Sequence, residues 1–303
     1  MIQKPTMKYP VTFKAMVLVN LPEGGTQLMK FMAWAAALWM AALLVIGCSE
    51  KTEERAGQQV PAFTEYKGQQ GPFPDRGFFV IQRQEAWNAL WAGRQAPTVD
   101  FTQNSVLVAL MGQQPTAGYN ITISDVRATG TDIVAYVDET RPKPDDVVAQ
   151  TLTYPYDMVV APKLTQPVAF RIEGAATQPI AMQDLYIGQQ SQVVNPQTRV
   201  IRIAADWQAF WTSTFGNTQP APQIDFTRYM AAVVLIGRKP TAGYTVLITG
   251  ADDVSNRIEV RYRATAPNPN DPVAQIITSP YSIAILPTSN QAVAFRPVTT
   301  VVA

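Results

Sequence analysis

Gly112-Gln113-Gln114-Pro115-Thr116-Ala117-Gly118-Tyr119 returns as Gly237-Arg238-Lys239-Pro240-Thr241-Ala242-Gly243-Tyr244, 125 residues further along the chain. The register holds well beyond this block. Asp100-Phe101-Thr102 matches Asp225-Phe226-Thr227, Pro155-Tyr156 matches Pro280-Tyr281, and Val168-Ala169-Phe170-Arg171 matches Val293-Ala294-Phe295-Arg296. Upstream the offset falls to 120, so that Gly68-Gln69-Gln70 pairs with Gly188-Gln189-Gln190, and Trp87 and Trp91 pair with Trp207 and Trp211. Extra residues around 216–220 absorb the difference. Each copy is long enough to bury a core of its own. The chain is a tandem duplication, not a short-period solenoid.

Inside each copy the pattern alternates between strand and helix signals. A short apolar strand at 78–81 precedes Trp87, Leu90 and Trp91, whose spacing of three and four is the stripe of a short helix. In the second copy 201–203 and then Trp207, Phe210 and Trp211 do the same, so the four tryptophans are expected to be structural. The runs 105–111 and 231–236 suit central strands. Residues 118–126 and 133–137 alternate, as do their partners, with Val134 and Tyr136 replaced by the polar Glu259 and Arg261. Proline-rich loops at 141–146 and 266–271 interrupt the ladder, and 151–161 and 167–171 resume it. The expected fold class is α+β, two tandem repeats, each a curled, mostly antiparallel β-sheet (half-barrel or sandwich-like) with one short helix. The expected domains are 61–174 and 180–303, joined by a connection too short to act as a free linker.

The front of the chain carries a different signal. Residues 31–47 are an unbroken apolar run ending in Val45-Ile46-Gly47-Cys48, the form of a signal peptide with a small residue before a lipidated cysteine. The run is short for a membrane span. Cys48 is the only cysteine in the chain, so lipidation there is expected to make it the first residue of a mature lipoprotein. Met29-Lys30 makes a compact basic start, so the expected signal region is 1–47 with translation from Met29 as an alternative start. Residues 48–60 are then a polar tether. The expected location is a bacterial cell envelope, lipid-anchored and facing outside the cytoplasm. With Ser49 after the cysteine, the absence of Asp resembles the pattern that sends lipoproteins to the outer membrane, which is the expected location where the cell has two.

Composition excludes several chemistries. The chain has no histidine, which removes the usual general base, the usual zinc ligand and any Ser-His-Asp triad. A net charge of +1 with no basic stripe argues against a nucleic-acid partner. No cofactor, no metal and no enzymatic activity are expected. Asp100 and Asp225 are the conspicuous carboxylates, but an aspartate just before a strand suits a turn that accepts backbone N–H bonds. The Pro115-Thr116-Ala117-Gly118-Tyr119 motif describes a tight corner: proline sets φ and glycine permits φ > 0. Two readings of it, and of Pro240, Thr241, Gly243 and Tyr244, stand open. One is a turn the fold requires; the other is a rigid loop that docks into a partner. Tyr156 and Tyr281 are further candidate anchors.

These residues resemble the conserved domain of the PrcB family, a lipoprotein subunit of a bacterial surface protease complex. The likeness runs through Trp87-x-x-Leu-Trp91, Asp100-Phe101, Gly112, Pro115-Thr116-x-Gly118-Tyr119 and Pro155-Tyr156, and again through their second-copy partners. It covers most of 78–172 and 199–297. The resemblance implies a non-catalytic lipoprotein that binds and stabilises a partner protein, an exported protease. A narrower likeness is to chagasin-type protease inhibitors, which press a Pro-Thr-x-Gly-Tyr-like loop into an enzyme cleft. Their Arg-Pro-Trp loop is missing, since Arg141-Pro142 lacks the tryptophan. A structural alternative is attachment to envelope polysaccharide or peptidoglycan, which exposed aromatics such as Tyr156 or Tyr281 would favour.

Overall fold

In each repeat the tryptophan stripe closes on one face of a sheet, and the chain leaves that sheet for a second one at the Pro-Thr-Ala-Gly corner. A computed structural model describes residues 55–298, except 63, 218 and 219. The apolar run 31–47, Met29, Cys48 and the tether as far as 54 lie outside the described residues.

The first repeat runs β1 (Gln58–Gln59), β2 (Thr64–Gly68), β3 (Gly77–Ile81), α1 (Gln84–Leu90), β4 (Asn104–Leu110), β5 (Asn120–Ala128), β6 (Ile133–Thr140), β7 (Tyr156–Pro162) and β8 (Val168–Ile172). The second runs β9 (Asp184–Gly188), β10 (Gln197–Ile201), α2 (Ala204–Phe215), β11 (Tyr229–Leu235), β12 (Thr245–Val254), β13 (Arg257–Thr265), β14 (Tyr281–Pro287) and β15 (Ala292–Pro297). The first repeat builds sheets of order β2-β7-β4-β3 and β1-β5-β6-β8; the second builds β10-β11-β14-β9 and β12-β13-β15.

This overturns the expected single curled sheet. Each repeat has two separate sheets, neither curled nor barrel-like, and the second is mixed. The reason is the route of the chain. After β6 it crosses to the first sheet as β7 and only then returns as β8, so β8 lies parallel to β6, as β15 does to β13.

β4 sits between the layers, which explains its near-continuous apolar run. Leu107 and Ala109 face the second sheet with Ile121, Val137 and Phe170, while Val106, Val108 and Leu110 face Trp87 on α1. The second repeat copies this plan: Ala232 and Val234 face β12 and β13, and Ala231, Val233 and Leu235 face Trp207 on α2.

The two repeats share a joint. The α1-side cluster of the first and the inter-sheet core of the second form one continuous apolar cluster through Met182 and Leu185. Val80 N–H donates to Met182 O at 2.8 Å, and Met182 N–H donates to Phe78 O at 3.0 Å, so the connection adds to the free edge of β3. Gln183 N–H then bonds Ile285 O at 2.8 Å, carrying the chain into the second repeat. The side-chain amide of Gln183 caps the edge of β8, donating to Val168 O at 2.7 Å and accepting from Val168 N–H at 2.8 Å. Arg83 pairs with Asp184 and donates to Tyr186 Oη, each at 2.8 Å. The outer face of β13, polar in sequence, is partly covered here: Arg261 donates to Arg76 O at 2.9 Å, and Arg263 forks onto Asp75 at 2.8 and 2.9 Å.

The end of the expected tether is docked. Gln58 and Gln59 pair with Ala128 and Arg127, and Arg55 lies 4.3 Å over the Tyr136 ring and 2.8 Å from Glu173.

A β-bulge breaks the β5–β6 register between Ile123 and Asp125, and β12–β13 has the same break between Ile248 and Gly250. In both repeats a side chain of the opposite sheet takes up the backbone N–H at the break. Ile123 N–H donates to Asp157 Oδ2 at 2.6 Å, and Ile248 N–H donates to Ser282 Oγ at 3.0 Å. Asp157 is fully buried and its Oδ1 has no hydrogen-bond partner among the described residues. Burial pushes its carboxyl from 3.8 up to about 6, against the opposing Ile123 N–H bond, while Glu65 raises it further and Lys67 lowers it. The folded protein therefore holds this proton more tightly than the unfolded chain, and stability falls as pH rises from about 4 to about 6. Asp157→Ser copies the second repeat and removes the buried charge. It is expected to raise stability at pH 7.5 by about 2 kcal/mol and to flatten the loss across that window, read by urea unfolding at a series of pH values.

Candidate functional site

The Pro-Thr-Ala-Gly-Tyr block forms the corner at which the chain passes from β4 to β5, and from β11 to β12. Gly118 has φ +90° and Gly243 has φ +88°, the left-handed region that favours glycine. The corner is pinned to the proline-rich loop beside it by the same bonds in both repeats. Gln114 and Thr153 exchange backbone bonds at 2.8 and 3.1 Å, as Lys239 and Thr278 do at 2.7 and 3.1 Å. Ala117 N–H donates to Ala149 O and Ala242 N–H to Ala274 O, each at 3.0 Å. The buried hydroxyls of Thr153 and Thr278 donate to Thr116 O at 2.9 Å and Thr241 O at 3.0 Å. Thr116 and Thr241 hydroxyls each donate to the carbonyl of the next residue, at 3.0 and 3.1 Å.

What the corner presents is small and apolar. Pro115, Gly118, Pro240 and Gly243 are exposed, while Tyr119 and Tyr244 are half-buried, Tyr119 against the first inter-sheet core. Lys239 Nζ lies 5.6 Å from the Tyr244 ring centre. Leu152 is 46% exposed and Ile277 60% exposed. These two are partners in the 125-residue register, each one residue before the pinning threonine. Val147 and Ile276 extend the exposed apolar surface of the same loops. Sequence reading missed Leu152 and Ile277 because 151–161 looked like uninterrupted strand, whereas regular pairing begins at Tyr156. Their shared position across the repeats was the available signal.

A side chain at either glycine is expected to unseat its corner. A Cβ on Gly243 would sit 2.8 Å from Pro267 Cβ, and one on Gly118 would sit 3.1 Å from Pro142 Cβ. Gly243→Ala is expected to cost about 2 kcal/mol and Gly118→Ala less, with the order checked by denaturant midpoints.

The other candidate residues lie elsewhere. Tyr156 and Tyr281 turn toward the helix side of their sheets. Tyr156 packs edge-on to Phe73 at 5.0 Å and Trp91 at 6.2 Å, and Tyr281 lies 4.7 Å from Phe215. Burial raises the pKa of both phenols. Asp100 accepts from Thr102 N–H at 2.9 Å and from its hydroxyl at 2.6 Å, and Asp225 accepts likewise from Thr227. Those bonds, hydroxyl first, lower both carboxyl pKa values. Trp87 and Trp207 are buried and donate from Nε1 to Pro97 O at 2.8 Å and Pro222 O at 2.9 Å. Trp91 and Trp211 pack beside them. Among the described residues no group of three or more acidic or cysteine side chains could hold a metal ion, and no helix is long and apolar enough to cross a membrane.

No curated protein and no solved structure matches the chain. The family described as PrcB C-terminal matches residues 105–162 and again 230–287. Each match starts in the central strand, passes through the corner and its proline-rich loop, and ends with the strand that follows, β7 or β14. The tryptophan helices lie outside it. The two pinned corners therefore fall within the two segments of this chain that match the PrcB C-terminal family.

Proposed function

We propose that the protein is a non-catalytic, lipid-anchored envelope protein that binds and stabilises a partner protein, an exported protease, through two matched corners. One observation carries this reading: each corner is held rigid by the same set of bonds and carries an exposed apolar side chain, Leu152 or Ile277, at the equivalent position. A rigid apolar loop loses little conformational freedom on docking. The match of both corners to a protease-associated family supports the choice of partner. Attachment to polysaccharide through Tyr156 and Tyr281 is less well supported, because both rings are engaged in aromatic clusters.

The test uses the full-length protein in its native envelope, with a photo-crosslinking residue at Leu152, at Ile277 or at the distant exposed Val254. Leu152 and Ile277 should capture the same protein, and Leu152→Asp with Ile277→Asp should reduce association at least about tenfold. Capture no greater than at Val254 would remove the basis for the proposal. Cys48→Ser is expected to release the protein from the membrane fraction.

A further inference from the structure

The two corners share their bonds but not their charge. Arg238 and Lys239 stand where the first repeat has Gln113 and Gln114. Those glutamines are engaged within the fold: Gln114 Nε2 donates to Met111 O at 3.1 Å, and Gln113 Oε1 accepts from Tyr154 Oη at 3.5 Å. In the second repeat Ser279 replaces Tyr154 and turns inward, donating to Val193 O at 2.6 Å. Among the described residues neither the Arg238 nor the Lys239 side chain has an ion-pair or hydrogen-bond partner; the Lys239 ammonium lies over the Tyr244 ring. The flanking loops repeat the difference. Arg141, Lys143, Asp145 and Asp146 cancel in the first, whereas Asp271 is the only charged residue of 266–275.

The same pair of cations crosses an apolar strip. Arg238 N–H donates to Val194 O at 2.9 Å on one side, and Lys239 exchanges backbone bonds with Thr278 on the other. Val194 is 52% exposed, and Ile276, 55% exposed, adds to Ile277 where the first corner has Thr151 beside Leu152. A surface that covers these aliphatic groups also borders two unpaired cations. Drawing a cation out of water without a counter-charge is costly, so the covering surface must bring carboxylates of its own. We infer that the second corner docks on a patch of the partner protein where Asp or Glu side chains rim an apolar hollow, whereas the first corner asks for no such rim. This rests on the reading of the corners as partner-binding loops and goes beyond it: the partner's two receiving sites are unlike, so the protein seats on it in one orientation.

A second copy of the chain is a poorer occupant. Its exposed Asp145-Asp146-Val147 stretch offers carboxylates beside an aliphatic group, but Arg141 and Lys143 in the same loop oppose the approach. One corner seated on the other corner of the next copy would also be a head-to-tail contact, which need not close. The cations act chiefly at encounter. Charges at the rim of an interface steer association and are screened by salt, while the apolar contact is not.

The experiment measures photo-crosslinking from Ile277 and from Leu152 in the full-length protein, in native envelopes held at about 50 mM or about 500 mM salt. The yield of the Ile277 adduct relative to the Leu152 adduct should fall at least about fivefold at the higher salt. Arg238→Gln with Lys239→Gln, which copies the first repeat, should lower that ratio at least about fivefold at low salt and abolish its salt response. Arg238→Lys with Lys239→Arg should preserve both, and both paired variants should keep the parent unfolding midpoint. A ratio insensitive to salt and to the glutamine pair, while Leu152→Asp with Ile277→Asp still breaks association, would overturn this inference and leave the corner reading standing. Capture at both corners no greater than at Val254 would remove both. An Ile277 adduct with lipid, or with a second copy of the chain, would overturn the inference as well.

Discussion

Trp87→Ala is expected to lower the unfolding free energy by about 3–5 kcal/mol, the largest single-residue effect in the described chain. The indole is fully buried, packs 5.6 Å from the Trp91 ring, and satisfies the Pro97 carbonyl from Nε1. Alanine leaves a large cavity and an unpaired acceptor in a cluster that also includes Met182, Leu185 and the inter-sheet core of the second repeat. The loss should spread. Trp207 is buried to a similar degree, but its cluster is confined to the α2 side of the second repeat. Hydrogen exchange separates the two: Trp87→Ala should speed exchange in β9 and β12 as well as β3, whereas Trp207→Ala should leave β3 and β4 unchanged. Equal, purely local effects would show that the shared cluster does not couple the repeats.

Gly77→Ala is expected to cost about 3 kcal/mol, and the reason lies across the joint rather than in the strand. A Cβ at Gly77 would come 2.4 Å from Thr249 O and 2.5 Å from the Phe79 ring. The φ of Gly77 is not in the left-handed region, so backbone strain contributes nothing. Gly250 answers from the other side, where a Cβ would meet Arg76 O at 2.7 Å. Two backbones approach closely because both residues lack a side chain. Forcing them apart also stretches the Arg261 bond to Arg76 O and the Arg263 fork on Asp75. Chemical denaturation of Gly77→Ala should show a lowered midpoint, and Asp75→Asn in the same background should add little, since the pair is already loosened. Full additivity of the two changes would argue that the joint had not opened.

Local features were legible because their causes are local. The tryptophan spacing placed α1 and α2, although α2 runs to 12 residues against 7 for α1. The left-handed glycines at 118 and 243 followed from their place in the motif, and the Asp-Phe-Thr turns from the preference of aspartate for nearby backbone N–H groups. The docked strand β1 was not legible, since Gln58 and Gln59 have no strand signature and owe their conformation to β5. Nor was the exposure of Leu152 and Ile277, because an apolar residue beside a strand carries no mark of the side it faces.

The sequence alone established a duplicated chain without imidazole, with one cysteine behind an apolar run, and with paired corners set by proline and glycine. Those are properties of composition, order and nearest-neighbour sterics. Only the tertiary structure decided that each repeat splits into two sheets, that β8 returns parallel to β6, that the two repeats share one cluster, and that residues 180–183 cover the outer edge of β3. The physical reason is that sheet partners are chosen across long stretches of chain. Periodicity tells which face of a strand is apolar, but only packing decides which strand, repeat or foreign segment lies against its edge.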